Sequence, residues 1–199
     1  MTEKAKRGRP RSSAVDRAIL TQAFDLFVEG GLENVSYDQI SKRSGISRAA
    51  IYRRWASRPL LLTSAIESHV REDLDVQPDW SKMNYQARLA WFINQAPKLI
   101  VSPFFRRLAG EVLARPNGHP DLNFIFHESI SRPQKLAFGR LIQAAIMEEV
   151  IDAKAPTELI YDMVFGALVA RTLSNPNGAT EDDQRRYLLD LLTTLGLRS

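Results

Sequence analysis

Ser44-Gly45-Ile46-Ser47-Arg48-Ala49-Ala50-Ile51-Tyr52-Arg53-Arg54-Trp55 carries the strongest signal in the chain. Gly45 breaks the helix before it, and Ser47 is placed to cap a new one that carries Arg48 to about Arg54. In that helix Ile51 and Trp55 stand four residues apart and share a face toward a small core with Phe27, Val35 and Ile40. Arg48, Ala49, Tyr52 and Arg53 are left on the other side. A helix about 10–12 Å across fits the major groove of DNA. Small residues such as Ala49 and Ala50 let its backbone approach base edges, and Arg48, near the helix start, has the fork that matches guanine O6 and N7.

The helical pattern begins at Ala14. Ile19, Ala23, Phe24 and Phe27 give the first helix one apolar face, and Gly30-Gly31 stops it. Ser36-Tyr37-Asp38-Gln39 reads as a capping box opening a short second helix that runs to about Arg43. Ser57-Arg58-Pro59 starts a fourth helix, continued by Leu62, Ile66, Val70 and Leu74. Amphipathic segments follow at roughly 82–101, 103–115, 120–149, 157–174 and 181–196, separated by Pro- and Asn-Gly-containing breaks. Pro97 and Pro133 fall inside these segments and are expected to kink them. No stretch alternates with period two, so the expected fold is all-α, with about nine helices: a three-helix helix-turn-helix head and a larger helical body. The expected divisions are an arm at 1–13, the head at 14–58 and the body at 59–199.

Composition narrows the function classes. Of 199 residues, 44% are hydrophobic and 25% charged, ordinary for a folded protein, and no apolar run reaches the ~20 residues of a membrane span. With no secretory signal and no cysteine, the chain is expected in the cytoplasm, without disulfides or zinc-thiolate sites. Three histidines (His69, His119, His127), no phosphate-cradling glycine loop and no nucleophile elbow argue against an enzyme, a cofactor or a metal site. Residues 1–58 hold 12 of the 27 Lys and Arg but only 6 of the 23 Asp and Glu, a net of +6, whereas the remainder nets −2. One end therefore suits a polyanion.

From Asp16 to Leu61 the chain resembles the N-terminal domain of TetR/AcrR transcriptional regulators. The match rests on Ile19-Leu20, Ala23, Leu26-Phe27, Glu29-Gly30-Gly31, Val35-Ser36, Ile40, Ser44-Gly45-Ile46-Ser47, Ile51-Tyr52, Trp55, Ser57-Arg58 and Leu60-Leu61, about a quarter of the chain in register without gaps. The resemblance implies a homodimer that binds a palindromic double-stranded DNA operator, usually as a repressor, and leaves it when a small molecule binds the body. It makes the third helix the recognition helix. It also places Arg48 at a base-contacting position, Tyr52 at a phosphate, Ser36 and Tyr37 in a grip on phosphate, and Arg58 where the family usually has Lys, keeping the positive charge. Ser47 is expected among the DNA contacts. Arg53 and Arg54 are expected near phosphates, and Trp55, where the family more often has Phe, in the core. Asp38, acidic near a position that is basic in some members, is left out of the expected contacts.

Arg7-Gly8-Arg9-Pro10 looks like the centre of an AT-hook, so Arg7, Arg9 and Arg11 are expected to reach the minor groove. In the body the resemblance implies a largely apolar effector pocket, drawn from Trp91, Gln95, Phe105, Phe124, His127, Met163 and Phe165. A dimer interface is expected from Met163, Ala167, Ala170, Leu188, Leu191, Leu192 and Leu195, because the last helix carries an apolar stripe too wide for one neighbour. The alternative carried by the basic arm is a nucleoid-type DNA-binding protein without a ligand.

Overall fold

Several helices of this chain begin where a side-chain oxygen, from Ser36, Ser47, Asn84, Ser102 or Thr180, accepts an orphaned backbone amide of the first turn. The computed structural model describes residues 13–73, 78–115, 118–175 and 179–198. It divides into two compact units, Met1–His69 and Val70–Ser199.

In the first unit α1 (Ser13–Gly30) leads through a 3₁₀ turn (Leu32–Asn34) to α2 (Tyr37–Ser44), α3 (Arg48–Tyr52) and α4 (Arg58–Asp73), within which the division between units falls. Ser36 Oγ accepts the Gln39 amide at 3.2 Å and caps α2, but the return bond expected from the Gln39 side chain is not formed. Gly45 ends α2 in the left-handed region at φ +72°, where a residue with a Cβ is strained. Ser47 Oγ then accepts the Ala50 amide at 3.4 Å and starts α3. Ile19, Ala23, Leu26, Phe27, Leu32, Val35, Ile40 and Ile51 are all fully buried, so the apolar stripe of α1 and single residues of α2 and α3 make one core. Arg43 grips both carboxylate oxygens of Glu29 at 2.8 and 2.7 Å and ties α2 to α1.

The second unit is built around α5 (Tyr85–Val101). Around it come α6 (Pro103–Leu113), α7 (Pro120–Phe126), α8 (Arg132–Met147), α9 (Thr157–Ser174) and α10 (Glu181–Thr194). α6, α8, α9 and α10 all pack on α5, which buries Leu89, Phe92, Ala96, Leu99 and Ile100 among them. A π turn at His127–Ser131 joins α7 to α8 in one continuous rod, so the described residues form nine helices and no strand. Pro97 lies buried within α5 without ending it. At Pro133, where a kink is expected, the chain widens into this π turn: the Arg132 amide bonds the His127 carbonyl, five residues back. That wider turn makes room for the proline ring against the carbonyl four residues before it. Among the described residues no helix is long and apolar enough to cross a membrane.

One residue here is strained. The Val150 amide bonds the Ala145 carbonyl at 2.8 Å and the Glu149 amide bonds Ile146 at 3.1 Å, the paired bonds of a Schellman cap, and Glu149 sits at φ +58° where glycine is usual. Glu149→Gly should stabilise the protein by ~1 kcal/mol, raising Tm by about 2–4 °C in a calorimetric scan. An unchanged or lower Tm would mean that Glu149 is not strained.

Candidate nucleic-acid interface

α3 is oriented by what lies beneath it. Ile51 is fully buried, Ala50 is half-buried, and the opposite side carries Arg48, Ala49, Tyr52 and Arg53 into solvent. Tyr52 is 53% exposed. Its ring lies on that of Tyr37, with centroids 4.0 Å apart and planes 17° from parallel. The Tyr37 hydroxyl donates to the Trp55 carbonyl at 3.1 Å. Burial first, and then the neighbouring Tyr52, push the Tyr37 phenol above its ordinary range, so it stays a donor. Tyr37 thus supports Tyr52 with its ring while its hydroxyl is engaged inside the head. Trp55, expected in the core, is only half-buried because α3 ends at Tyr52 and the chain turns before reaching it.

The arginines divide into two kinds. Arg53 is exposed, and among the described residues no side chain pairs with its guanidinium. Arg48 reaches Asp38. Arg54 is different: its Nε meets Asp16 Oδ1 at 2.5 Å, its Nη1 donates to the Ala50 carbonyl at 2.8 Å, and its side chain is only 16% exposed. Arg58 is half-buried and donates to the Leu32 carbonyl at 3.4 Å. The expectation that Arg54 sits free for phosphate did not include its partner 38 residues away. Arg54→Ala should destabilise the protein by about 1–3 kcal/mol by leaving Asp16 partly buried without its partner. Urea titration measures this, and a loss below ~0.5 kcal/mol, the level of an ordinary surface substitution, would place Arg54 outside the scaffold. Ser36 and Ser47 stand at the starts of α2 and α3 as caps. Arg7, Arg9 and Arg11 lie outside the described residues.

The geometry is that of two short helices meeting through a glycine turn, with a basic, aromatic outer side on the second. The family model for bacterial regulatory proteins of the tetR family matches residues 19–64, from α1 into α4. The chain belongs to the TetR family. It is a DNA-binding transcriptional regulator. An uncharacterized HTH-type transcriptional regulator of Bacillus subtilis, YdeS, is 24% identical over 173 residues, covering 85% of this chain and 83% of YdeS. A TetR transcriptional regulator from Agrobacterium tumefaciens shares the fold at a TM-score of 0.69 and 18% identity, covering 92% of this chain and 95% of that one. The flavonoid-responsive regulator FrrA does so at 0.62 and 23%, with the same coverage.

In the second unit of this TetR-family chain, α5 and α9, with Gln134 of α8, line a narrow, part-open apolar cleft between Phe92, Leu99, Ile100, Tyr161, Phe165 and Leu168, with room for about one water molecule. Of the seven residues expected around an effector, Phe165 alone lines it. Trp91 packs edge-on against Trp80 with centroids 4.9 Å apart, Phe105 is fully buried, and Gln95 is half-buried with an unpartnered Oε1. Phe124, His127 and Met163 are exposed. Helical spacing shows which residues share a face but not which face turns inward. Phe92, Tyr161 and Leu168 also line this cleft, and their only signal in the sequence is their place on the inner stripes of α5 and α9. Of the residues expected at a dimer interface, Met163 and Ala170 are exposed, and Ala167, Leu191 and Leu195 are half-buried. Leu188 and Leu192 are buried inside their own unit, on the helix that packs against α5 and α9, which departs from their expected place on an outer face.

Proposed function

We propose that this chain works in the cytoplasm as a homodimeric repressor that binds a palindromic operator through two copies of α3. It releases the DNA when a small, largely apolar molecule enters the cleft between α5, α8 and α9. The observation that carries this reading is the outer side of α3, where Arg48, Tyr52 and Arg53 project from a helix anchored by Ile51. Side chains at the start of such a helix are the ones that read base edges. The arm at 1–13, with Arg7, Arg9 and Arg11, adds minor-groove contact, the head spans 14–58, and 59–199 supplies effector binding and assembly.

Assembly is supported by α9. Tyr161, Val164, Leu168 and Thr172 face inward, yet Leu159 (57% exposed), Met163 (50% exposed), Gly166, Ala170 and Leu173 form a second apolar stripe outward. A helix apolar on both faces is buried on both, and a second copy of the same helix covers the outer stripe with Gly166 and Ala170 allowing close approach. Effector chemistry is supported by the cleft. Tyr161 stacks on Phe165 at 5.4 Å, and its buried hydroxyl makes no bond of ordinary geometry. Burial, and then Asp162, push that phenol far above its usual range, so it remains a neutral donor. These walls offer an uncharged aromatic molecule a stacking surface and one donor, but the cleft as it stands has room for about one water molecule, so α5 and α9 must part to admit such a ligand. A fold relative is described as flavonoid-responsive.

Selecting sites from a random duplex pool with the full-length protein tests the reading. It should return a palindrome whose half-site centres lie one helical turn or a multiple of it apart, ~34 Å per turn. Sequences with no common motif would point instead to an architectural protein without a ligand.

A further inference from the structure

The first turns of α2 and α3 meet outside the core. Arg48 Nη1 donates to Asp38 Oδ1 at 2.6 Å, and both side chains are largely exposed, at 63% and 70%. An exposed pair of this kind contributes little to folding, so its presence calls for another explanation. Next to Asp38, Tyr37 is fixed from two sides, by its stack on Tyr52 and its bond to the Trp55 carbonyl. The backbone that carries the carboxylate is therefore held against α3. The N-terminal turn of a helix also favours a negative charge, which suits Asp38 to this place.

We propose that Asp38 is a positioning residue that sets the sequence specificity of Arg48. This rests on the reading that α3 faces DNA. A guanidinium has five N–H donors in a rigid plane. With one Nη engaged by Asp38, the other donors stay available for the O6 and N7 of a guanine, in an orientation chosen before contact. Unrestrained, the same side chain would turn to the nearest phosphate and bind any sequence. The carboxylate also repels phosphates itself, so it weakens binding to all DNA while the matching base restores it through Arg48. Discrimination by an added unfavourable element is a general route to specificity.

The test uses the full-length protein as wild type, Asp38→Asn, Asp38→Ala, Arg48→Ala and Asp38→Asn/Arg48→Ala. Affinities are measured at one salt concentration for the selected operator, for operators altered at single half-site positions, and for random duplex. Asp38→Asn and Asp38→Ala should bind random duplex more tightly and lower the operator-to-random ratio by ~10-fold. The discrimination lost should be confined to the base pair at which Arg48→Ala loses it too. Without Arg48, Asp38→Asn should change no base preference. If removing the Asp38 charge raises both affinities by one factor and leaves the ratio intact, the carboxylate does not position Arg48. If it changes base preference in the Arg48→Ala background, Asp38 contacts a base itself, and the proposal is again overturned. If Arg48→Ala leaves the ratio of the wild type untouched, the DNA-facing reading of α3 fails and takes the proposal with it, an outcome separate from the first two.

Discussion

Met163→Arg should separate the two copies and lower operator affinity by ~10²–10⁴-fold, the range of avidity lost when paired contacts become single ones. Met163 stands in the middle of the outward stripe of α9, between Leu159 and Ala170, and is half exposed in the single chain. The folded protomer can therefore accept a charge there, with its helical circular dichroism unchanged. A symmetric interface cannot, because residues near the two-fold axis meet their own copies and two guanidinium groups would be buried without partners. Sedimentation should show a dimer for the wild type and a monomer for Met163→Arg at the same concentration. A variant that stays dimeric would move the interface away from α9.

Phe27→Ala should cost the protein about 3–5 kcal/mol, the usual loss for a buried phenylalanine. Phe27 is fully buried, as are Leu26, Val35, Ile40 and Ile51 around the same small core. α2 and α3 have only 8 and 5 residues and cannot persist as isolated helices. They depend on that core to hold the outer face of α3 in position, so operator binding should fall with stability. Urea denaturation followed by circular dichroism measures the loss. A cost below ~1 kcal/mol, far under the range for large-to-small changes in a packed core, would contradict the packing described.

Much of the head was legible because its signals are local. Ser36, Gly45 and Ser47 each act on backbone groups within four residues, and the helices they delimit fall where their chemistry places them. Pro103, Pro120 and the Thr157 start of α9 are equally local. What could not be read depends on residues distant in sequence. The Asp16 partner of Arg54, the Trp55 carbonyl that takes the Tyr37 hydroxyl, and the pairing of Asp38 with Arg48 all follow from how α1, α2 and α3 pack. An acidic residue beside the basic outer side of α3 reads as a misfit until its partner is seen. In the second unit the difficulty is of another kind. α9 is apolar nearly all round, and α10 carries adjacent leucines, so spacing alone does not say that Leu188 and Leu192 turn inward while Met163 turns out. Which side is the core is settled by α5, whose own stripe meets them.

Whether the outer side of α3 meets the bases of an operator can be read by crosslinking from its most exposed aromatic position. Tyr52→p-benzoylphenylalanine keeps an aromatic ring where Tyr52 lies on Tyr37, and Leu113→p-benzoylphenylalanine places the same group on an exposed residue of α6 as a control. Irradiation with bound operator should link position 52 to DNA at two symmetric sites, one in each half of the palindrome, and leave position 113 unlinked. An operator held tightly with no adduct at position 52 would mean that α3 does not face the DNA.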